Sequence, residues 1–156
     1  QNPRNILYSA GKEWQSGAPS IVRSTDGGKS WKNFPLKRAD GKAAFITNGR
    51  RGEGLQFDPN NSQIAFYGSR QDGLFTSNDG GATWSQKLDF PRAGAIVENV
   101  RANWIAFDKK SGTRGAATPT IYVYAQPSKA DVPFERGIYR STDAGKSWQK
   151  LPDTPK

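Results

Sequence analysis

The eight residues "STDGGKSW" occupy positions 24–31, and close copies recur as "SNDGGATW" at 77–84 and "STDAGKSW" at 141–148. All copies have serine first, aspartate third, glycine fifth and tryptophan eighth. Aspartate in a tight turn accepts backbone N–H bonds, glycine supplies positive φ without steric cost, and tryptophan covers a hairpin with its apolar face. Each shared residue type therefore has a structural use, and the motif is predicted to be a turn that joins two strands.

Three equivalent turns around a fold do not make the single constellation that catalysis requires. We therefore interpret the shared positions as structural, with the serine hydroxyl tying the ends of the turn. The structural residues are Ser24, Asp26, Gly28, Trp31, Ser77, Asp79, Gly81, Trp84, Ser141, Asp143, Gly145 and Trp148.

The repeated unit extends beyond the turn motif. It reads as a short strand ending in Phe-Asp, a turn, a second strand, a loop, a third strand, the motif, and a fourth strand. First strands are predicted at Leu55–Phe57 and Trp104–Phe107, and second strands at Ile6–Ser9, Ile64–Tyr67 and Ile121–Tyr124. Third strands are predicted at Ile21–Arg23, Leu74–Thr76 and Ile138–Arg140, and fourth strands begin at Trp31, Trp84 and Trp148. Trp104 is expected in the core.

Four antiparallel strands recurring in this way are typical of a β-propeller blade. The sequence predicts an all-β partial propeller over residues 1–156, with blade units at about 1–36, 52–92 and 101–156. The first unit lacks its first strand, which leaves about 2.7 blades, whereas a closed propeller needs at least about four. We expect a segment of a larger propeller, completed by further sequence or another chain; the alternative is a small independent sandwich.

Composition narrows the classes of function. No apolar run approaches the roughly 18 residues of a spanning helix, which argues against a membrane protein. Cysteine, methionine and histidine are absent, so disulfides, thiolate metal sites and histidine bases are excluded, and no metal or organic cofactor is implied. The net charge is +9, but its 23 Lys and Arg are scattered without a nucleic-acid-binding motif, which favours a solvated basic surface. The lack of thiols, and a start at Gln1 without methionine, favour a processed, secreted or periplasmic protein.

The motif S-x-D-x-G-x-x-W resembles the Asp-box, or BNR repeat, of sialidases, sortilin-type receptors and several glycoside hydrolases. The stretch "RGEGLQFDPNNSQIAFYGSRQDGLFTSNDGGATW" at 51–84 resembles xyloglucanases of glycoside hydrolase family 74 more specifically. The segments "NWIAFDKKSGTRGAATPTIYVYA" at 103–125 and "GIYRSTDAGKSWQKLPDTP" at 137–155 resemble the next blade of that family. Gly54 departs from the family pattern, where arginine is usual, so an arginine-dependent contact is not expected there.

The resemblance implies a seven-bladed N-terminal propeller, paired with a second propeller across a substrate cleft. Members of the family hydrolyse the β-1,4-glucan backbone of xyloglucan with inversion, using one aspartate from each propeller. The motifs that carry those two aspartates are not found in this chain, so no catalytic residue is expected within it. The chain is expected to supply scaffold and substrate-contacting loops to an endo-β-1,4-glucanase, with polysaccharide as its partner and neither nucleic acid nor membrane.

Loops offer the best candidates for binding a sugar. Aromatic faces stack on sugar rings, while arginine and carboxylate groups bond hydroxyls. The predicted substrate-binding residues are Trp14, Arg50, Arg51, Glu53, Arg70 and Asp72, and each arginine is alternatively a solvated loop residue. Whether the loop 68–73 and the entry to the first strand share one end of the sheet depends on strand direction, which stays open. Two other classes also stay open: a non-catalytic Asp-box module that binds glycan or protein, and a structural or assembly-factor propeller.

Overall fold

A computed structural model describes residues 5–10, 20–44, 54–92, 94 and 97–152, without the side chains of residues 8–10 and 20. Its strands are β1 (Ile6–Ala10), β2 (Ser20–Ser24), β3 (Lys32–Pro35), β4 (Leu55–Phe57), β5 (Ala65–Gly68), β6 (Leu74–Ser77), β7 (Ser85–Gln86), β8 (Val100–Phe107), β9 (Ile121–Pro127), β10 (Gly137–Ser141) and β11 (Gln149–Lys150). One 3₁₀ turn spans Lys109–Ser111. No helix among the described residues is long and apolar enough to span a membrane.

The strands form three antiparallel sheets, with neighbours in chain order. The first sheet is β1-β2-β3, the second is β4-β5-β6-β7, and the third is β8 to β11. The predicted all-β class and the arrangement of three, four and four strands are confirmed. Each fourth strand begins one residue after its tryptophan, at Lys32, Ser85 and Gln149.

The first strand of the third sheet is longer than predicted. It begins at Val100 rather than Trp104, because its early residues pair with the end of β9 as far as Pro127, across a bulge between Ala102 and Trp104. The prediction that Trp104 lies in the core is wrong, since 38% of its surface is exposed. The neighbouring Ile105 is buried against the second sheet, and after the bulge Trp104 falls on the opposite face.

The second turn motif packs against β1 of the first sheet, and the third turn motif packs against β5 of the second sheet. A methyl group at Gly81 would lie 2.5 Å from Leu7 Cδ2 of the first sheet. A methyl group at Gly145 would lie 3.1 Å from Phe66 Cζ of the second sheet. Leu7 and Phe66 occupy the same register position, one residue after the partner of the motif serine. The repeated glycine therefore allows close packing between sheets as well as the turn itself.

Candidate functional site

The strand pairing settles which loops share an end of the sheets. β4 runs antiparallel to β5, and Gly68 N–H donates to the Gly54 carbonyl over 2.7 Å. The entry to the first strand and the loop joining the second and third strands therefore lie at the same end. The turn motifs, which join third and fourth strands, lie at the opposite end. We call the first of these the loop end.

Asp72 lies at the loop end but is built into the loop 69–73. It is only 4% exposed, and its backbone N–H donates to Ser69 Oγ over 3.1 Å. The Ser69 hydroxyl donates to Asp72 Oδ2 over 3.4 Å, and the Asp72 carbonyl accepts from Gln86 Nε2 over 2.9 Å. Asp72 therefore holds the loop in shape. Arg70 in the same loop is exposed to solvent.

The other predicted binding residues lie outside the described part of the chain. They are Trp14, Arg50, Arg51 and Glu53. Gly54, the residue after Glu53, is at the loop end through its bond to Gly68.

A charged cluster that the sequence analysis missed is centred on Arg38. Its guanidinium lies 2.9 Å from Asp40 Oδ2, 3.6 Å from Asp72 Oδ1 and 3.6 Å from Glu98 Oε1. Arg38, Asp40 and Glu98 border a groove of about 270 Å³. The groove is lined by Arg38, Ala39, Asp40, Gln86, Leu88, Val97 and Glu98.

The Arg38 cluster combines the Arg38 guanidinium, exposed carboxylates and the exposed apolar side chain of Leu88. Such a mixture suits a polyhydroxylated ligand, because charged groups bond hydroxyls and apolar groups cover ring C–H bonds. Its carboxylates come from three separate segments of the chain, so no local pattern marks the cluster. In the sequence, the only local indication of the cluster is the run Arg38-Ala39-Asp40, which places opposite charges two residues apart in a polar loop.

At the opposite end, Asp79 shows how the turn motif is built. Its carboxylate accepts from the Ser77 hydroxyl over 2.8 Å and from the backbone N–H of Ala82 and Thr83 over 2.9 and 2.8 Å. The Thr83 hydroxyl donates to Oδ2 over 2.6 Å. Ser77 Oγ in turn accepts from Gly81 N–H over 2.8 Å, and Gly81 has a φ of 90°.

The other two motifs repeat this network around Asp26 and Asp143. The seventh position, which the sequence analysis passed over, carries a hydroxyl in all three copies. Ser30, Thr83 and Ser147 each donate that hydroxyl to the aspartate over 2.6 Å. All three carboxylates are thus occupied by their own turns, as a structural role requires.

The hydrogen bonds lower the pKa of these carboxylates. The Ser147 hydroxyl and backbone lower the pKa of Asp143 to about 2. Burial acts to raise the pKa of Asp79, but the bonds from Thr83, Ser77 and Ala82 outweigh it and bring the pKa to about 2. For Asp26, bonds from Ser30 and Ser24 hold the pKa well below its usual range.

We expect stability to fall as the pH is lowered from about 4 to about 2. An aspartate whose pKa is lowered on folding stabilises the protein above its unfolded pKa, and this stabilisation is lost as the pH falls through the folded pKa. The ordinary value is 3.8 and the folded value is about 2 for Asp79. Thermal melts at pH 5, 4, 3 and 2 check this, and the Asp79→Asn variant, without the charge, should show a smaller loss. An equal loss in that variant would exclude a contribution from Asp79.

We expect Asp79→Ala to destabilise the protein without a specific loss of activity. The substitution leaves the hydroxyl of Ser77 and the N–H and hydroxyl of Thr83 without their acceptor, which costs roughly 1–3 kcal/mol because water replaces only part of these bonds. A lower melting temperature checks this, with the exposed Asp131→Ala as control. Loss of activity at an unchanged melting temperature would contradict the structural role.

No group of three or more Asp or Glu side chains within the described residues is arranged to hold a metal ion.

Comparison with known proteins shows that the turn motifs are Asp-box repeats. The BNR/Asp-box repeat model matches residues 22–33, 75–86 and 139–150. A xyloglucanase of a Paenibacillus species is 39% identical over 99% of this chain, which spans 16% of that relative. A xyloglucanase of Acetivibrio thermocellus is 33% identical over 99% of this chain, which spans 19% of it.

Solved structures give the same result. A Niastella koreensis enzyme of glycoside hydrolase family 74 matches 97% of this chain and 21% of its own, with 27% identity and a TM-score of 0.68. A family 74 xyloglucanase from Xanthomonas campestris matches 97% of this chain and 22% of its own, with 28% identity and a TM-score of 0.66. The resemblance to this family is confirmed, and the chain corresponds to a segment of far longer proteins.

Proposed function

We propose that this chain, homologous along 99% of its length to xyloglucanases of glycoside hydrolase family 74, is a segment of a secreted endo-β-1,4-glucanase that cleaves xyloglucan with inversion. The observation that carries the proposal is the 39% identity to a xyloglucanase over 99% of the chain, which includes the sequence between the turn motifs. The catalytic aspartates lie in other parts of the enzyme. This segment provides scaffold and substrate-contacting loops.

The open face of the third sheet supports a place inside a larger ring. Ile138 is 41% exposed, whereas Leu74, at the same register position of the second sheet, is 0% exposed because the third sheet covers it. Trp104 lies beside Tyr124 on the same open face, and Tyr124 pairs with Ile138. Apolar side chains in a continuous row are normally covered by another element.

The strand register supports a further blade on that face. Leu7 and Phe66 each receive the fifth glycine of the next turn motif, and Tyr122 occupies their position in the third sheet. A further Asp-box sheet would place its own glycine against Tyr122. The remaining blades, from the same protein or another chain, complete a seven-bladed ring.

The loop end is the surface of this segment that we assign to substrate. Arg70 is exposed there, and the Arg38 cluster offers both a cation and carboxylates within one groove. Trp14, Arg50, Arg51 and Glu53 remain predicted substrate contacts. Asp72 contributes by shaping the loop that carries Arg70.

A reducing-sugar assay on xyloglucan, with the whole protein that contains this segment, tests the proposal. We expect hydrolysis, and we expect Arg70→Ala to raise KM by about threefold to tenfold through loss of one charge-assisted bond to a hydroxyl. The matched control is Arg114→Ala, which removes an exposed arginine from residues 109–120, the connection between β8 and β9 at the end opposite the loop end. Both variants should keep the parental melting temperature.

Other outcomes distinguish the remaining classes. Retention on xyloglucan without hydrolysis by the whole protein would favour a non-catalytic glycan-binding module. If the whole protein neither hydrolyses nor binds xyloglucan, and binds no sugar on a glycan array, a structural or assembly role would be favoured. Equal KM values for the Arg70 and Arg114 variants would remove Arg70 from the binding surface.

A further inference from the structure

A pocket on the third sheet does not belong to the Arg38 cluster. It has a volume of about 560 Å³ and lies between the connection from the second to the third sheet and the loop joining β9 to β10. It is lined by Pro91, Arg92, Gly94, Pro133, Phe134, Glu135, Tyr139, Trp148 and Lys150. We call it the aromatic pocket. Its volume falls within the range of about 300–1,000 Å³ typical of small-molecule sites.

The aromatic walls are held by packing and by one hydrogen bond. Phe90 meets Tyr139 and Trp148 edge to face, with ring centroids 5.5 and 5.1 Å apart. The ring of Phe134 lies 5.7 Å from that of Tyr139. The Tyr139 hydroxyl donates to the Glu135 carbonyl over 2.5 Å, which fastens the loop that carries Phe134 to the sheet. The pocket is therefore largely preformed, so little free energy is lost in ordering it when a ligand binds.

Polar groups stand beside these rings. Lys150 Nζ lies 3.8 Å from Glu135 Oε2, and Arg92 lines the same pocket with an exposed side chain. Donors and a carboxylate acceptor next to aromatic surface are the combination that binds sugars, since ring C–H bonds stack on aromatic faces while hydroxyls bond to the charged groups.

One residue that lines the pocket also carries a buried polar atom without a partner among the described residues. Trp31 and Trp84 donate their indole N–H to the carbonyls of Gly28 and Gly81 over 3.0 and 3.2 Å. The buried indole N–H of Trp148, in contrast, has no hydrogen-bond partner within the described residues. The third motif therefore departs from the other two at a residue that lines the pocket. Leaving such a buried donor unsatisfied costs about 1–3 kcal/mol.

The lining is particular to the third sheet. The register positions of Tyr139 hold Val22 and Phe75 in the other sheets, and that of Lys150 holds Gln86 in the second. A feature needed only for the repeated scaffold would recur in each sheet. This difference, together with the volume and the polar groups, indicates a ligand site.

We propose that the aromatic pocket binds one pyranose unit of a polysaccharide. The choice of xyloglucan as its source rests on the proposed function, whereas the sugar chemistry rests on the pocket alone. Phe134 supplies a stacking face, and Arg92 with the Glu135–Lys150 pair bonds the hydroxyls. The site tethers polymer to the enzyme.

The test is affinity electrophoresis of the whole protein in native gels with and without xyloglucan, run in the cold. We expect Phe134→Ala and Arg92→Ala each to weaken retention by the polymer by about tenfold, the loss of one stacked ring or one charge-assisted bond. The matched controls are Val132→Ala, which is also half-buried against the same core, and Arg136→Ala, an exposed neighbour. The melting temperature of each variant is compared with that of its control, so that loss of retention is distinguished from loss of folded protein.

The outcomes separate this inference from the proposed function. Retention that depends on Phe134 and Arg92 in a protein without hydrolytic activity would keep the pocket and reject the enzyme. Hydrolysis with retention equal in variants and controls would reject the pocket and keep the enzyme. Displacement of the protein by a proline-rich peptide, with no effect of xyloglucan, would show a peptide site and overturn the inference.

Discussion

Replacing Gly68 with alanine should be among the most destabilising single changes in this chain. A methyl group at Gly68 would lie 2.9 Å from the carbonyl carbon and 3.0 Å from Cβ of Ala102, and closer still to the Ala102 carbonyl oxygen. Ala102 belongs to the next sheet, and its N–H donates to the Ser69 carbonyl over 3.0 Å. The clash is with backbone, which cannot rotate away, so the second and third sheets must move apart.

We expect Gly68→Ala to lower the free energy of unfolding by about 3 kcal/mol or more, the upper range for overpacking of a close contact. Thermal and urea unfolding of the protein check this. Gly41→Ala is the control, because Gly41 has a φ of 81° but no atom within 4 Å of the added methyl group. Gly41→Ala should lower the free energy of unfolding by about 1 kcal/mol, because it adds only backbone strain. Equal melting temperatures for the two variants would show that the sheets do not approach closely at Gly68.

Replacing Asp58 with alanine should have an effect of similar size for a different reason. Asp58 is buried, and its carboxylate accepts from Asn60 N–H over 2.8 Å within its own turn. It also accepts from the N–H and the hydroxyl of Thr118, over 2.7 and 2.5 Å. Thr118 lies in the third unit, so this carboxylate joins two sheets. Alanine would leave buried donors without an acceptor, at about 3 kcal/mol in total.

The repeat provides a matched control for Asp58. Asp108 holds the equivalent position after the first strand of the third sheet, but it is exposed and accepts from Lys110 N–H within its own turn. Asp108→Ala should therefore cost about 1 kcal/mol or less. If Asp58→Ala and Asp108→Ala lowered the melting temperature equally, the hydrogen bonds from Thr118 to Asp58 would contribute nothing measurable to stability. Asp58→Asn, which keeps one acceptor oxygen, should fall between the two alanine variants.

These two positions show what local sequence does not reveal. From sequence alone, Asp58 at the end of the predicted first strand suits a turn, because aspartate accepts backbone N–H bonds there, and this is half of its role. Its second role needs Thr118, sixty positions away along the chain, in the connection between β8 and β9. Gly68 ends a strand in the sequence pattern, and only the approach of Ala102 shows why a side chain is excluded there.

The functional surface follows the same division. Arg70 is predicted as a substrate contact from sequence because it is a polar residue in a loop between predicted strands, and the structure places it exposed in that loop. The Arg38 cluster was missed because Asp40, Asp72 and Glu98 come from different connections and meet only when the sheets pack. The aromatic pocket was missed for the same reason, since Arg92 and Phe134 belong to connections on either side of β8 and β9.

By itself, the sequence determined the strands, the turns and their repetition, because hydrophobic alternation, turn residues and motif spacing act over a few neighbouring positions. The sequence also indicated the resemblance to glycoside hydrolase family 74, because the similarity extends along most of the chain. Tertiary structure alone decided which loops share an end, why Trp104 is exposed, and which side chains meet between sheets. Those features depend on strand direction, a bulge and the packing of one sheet on the next, and contacts between distant residues leave no local pattern in a single sequence.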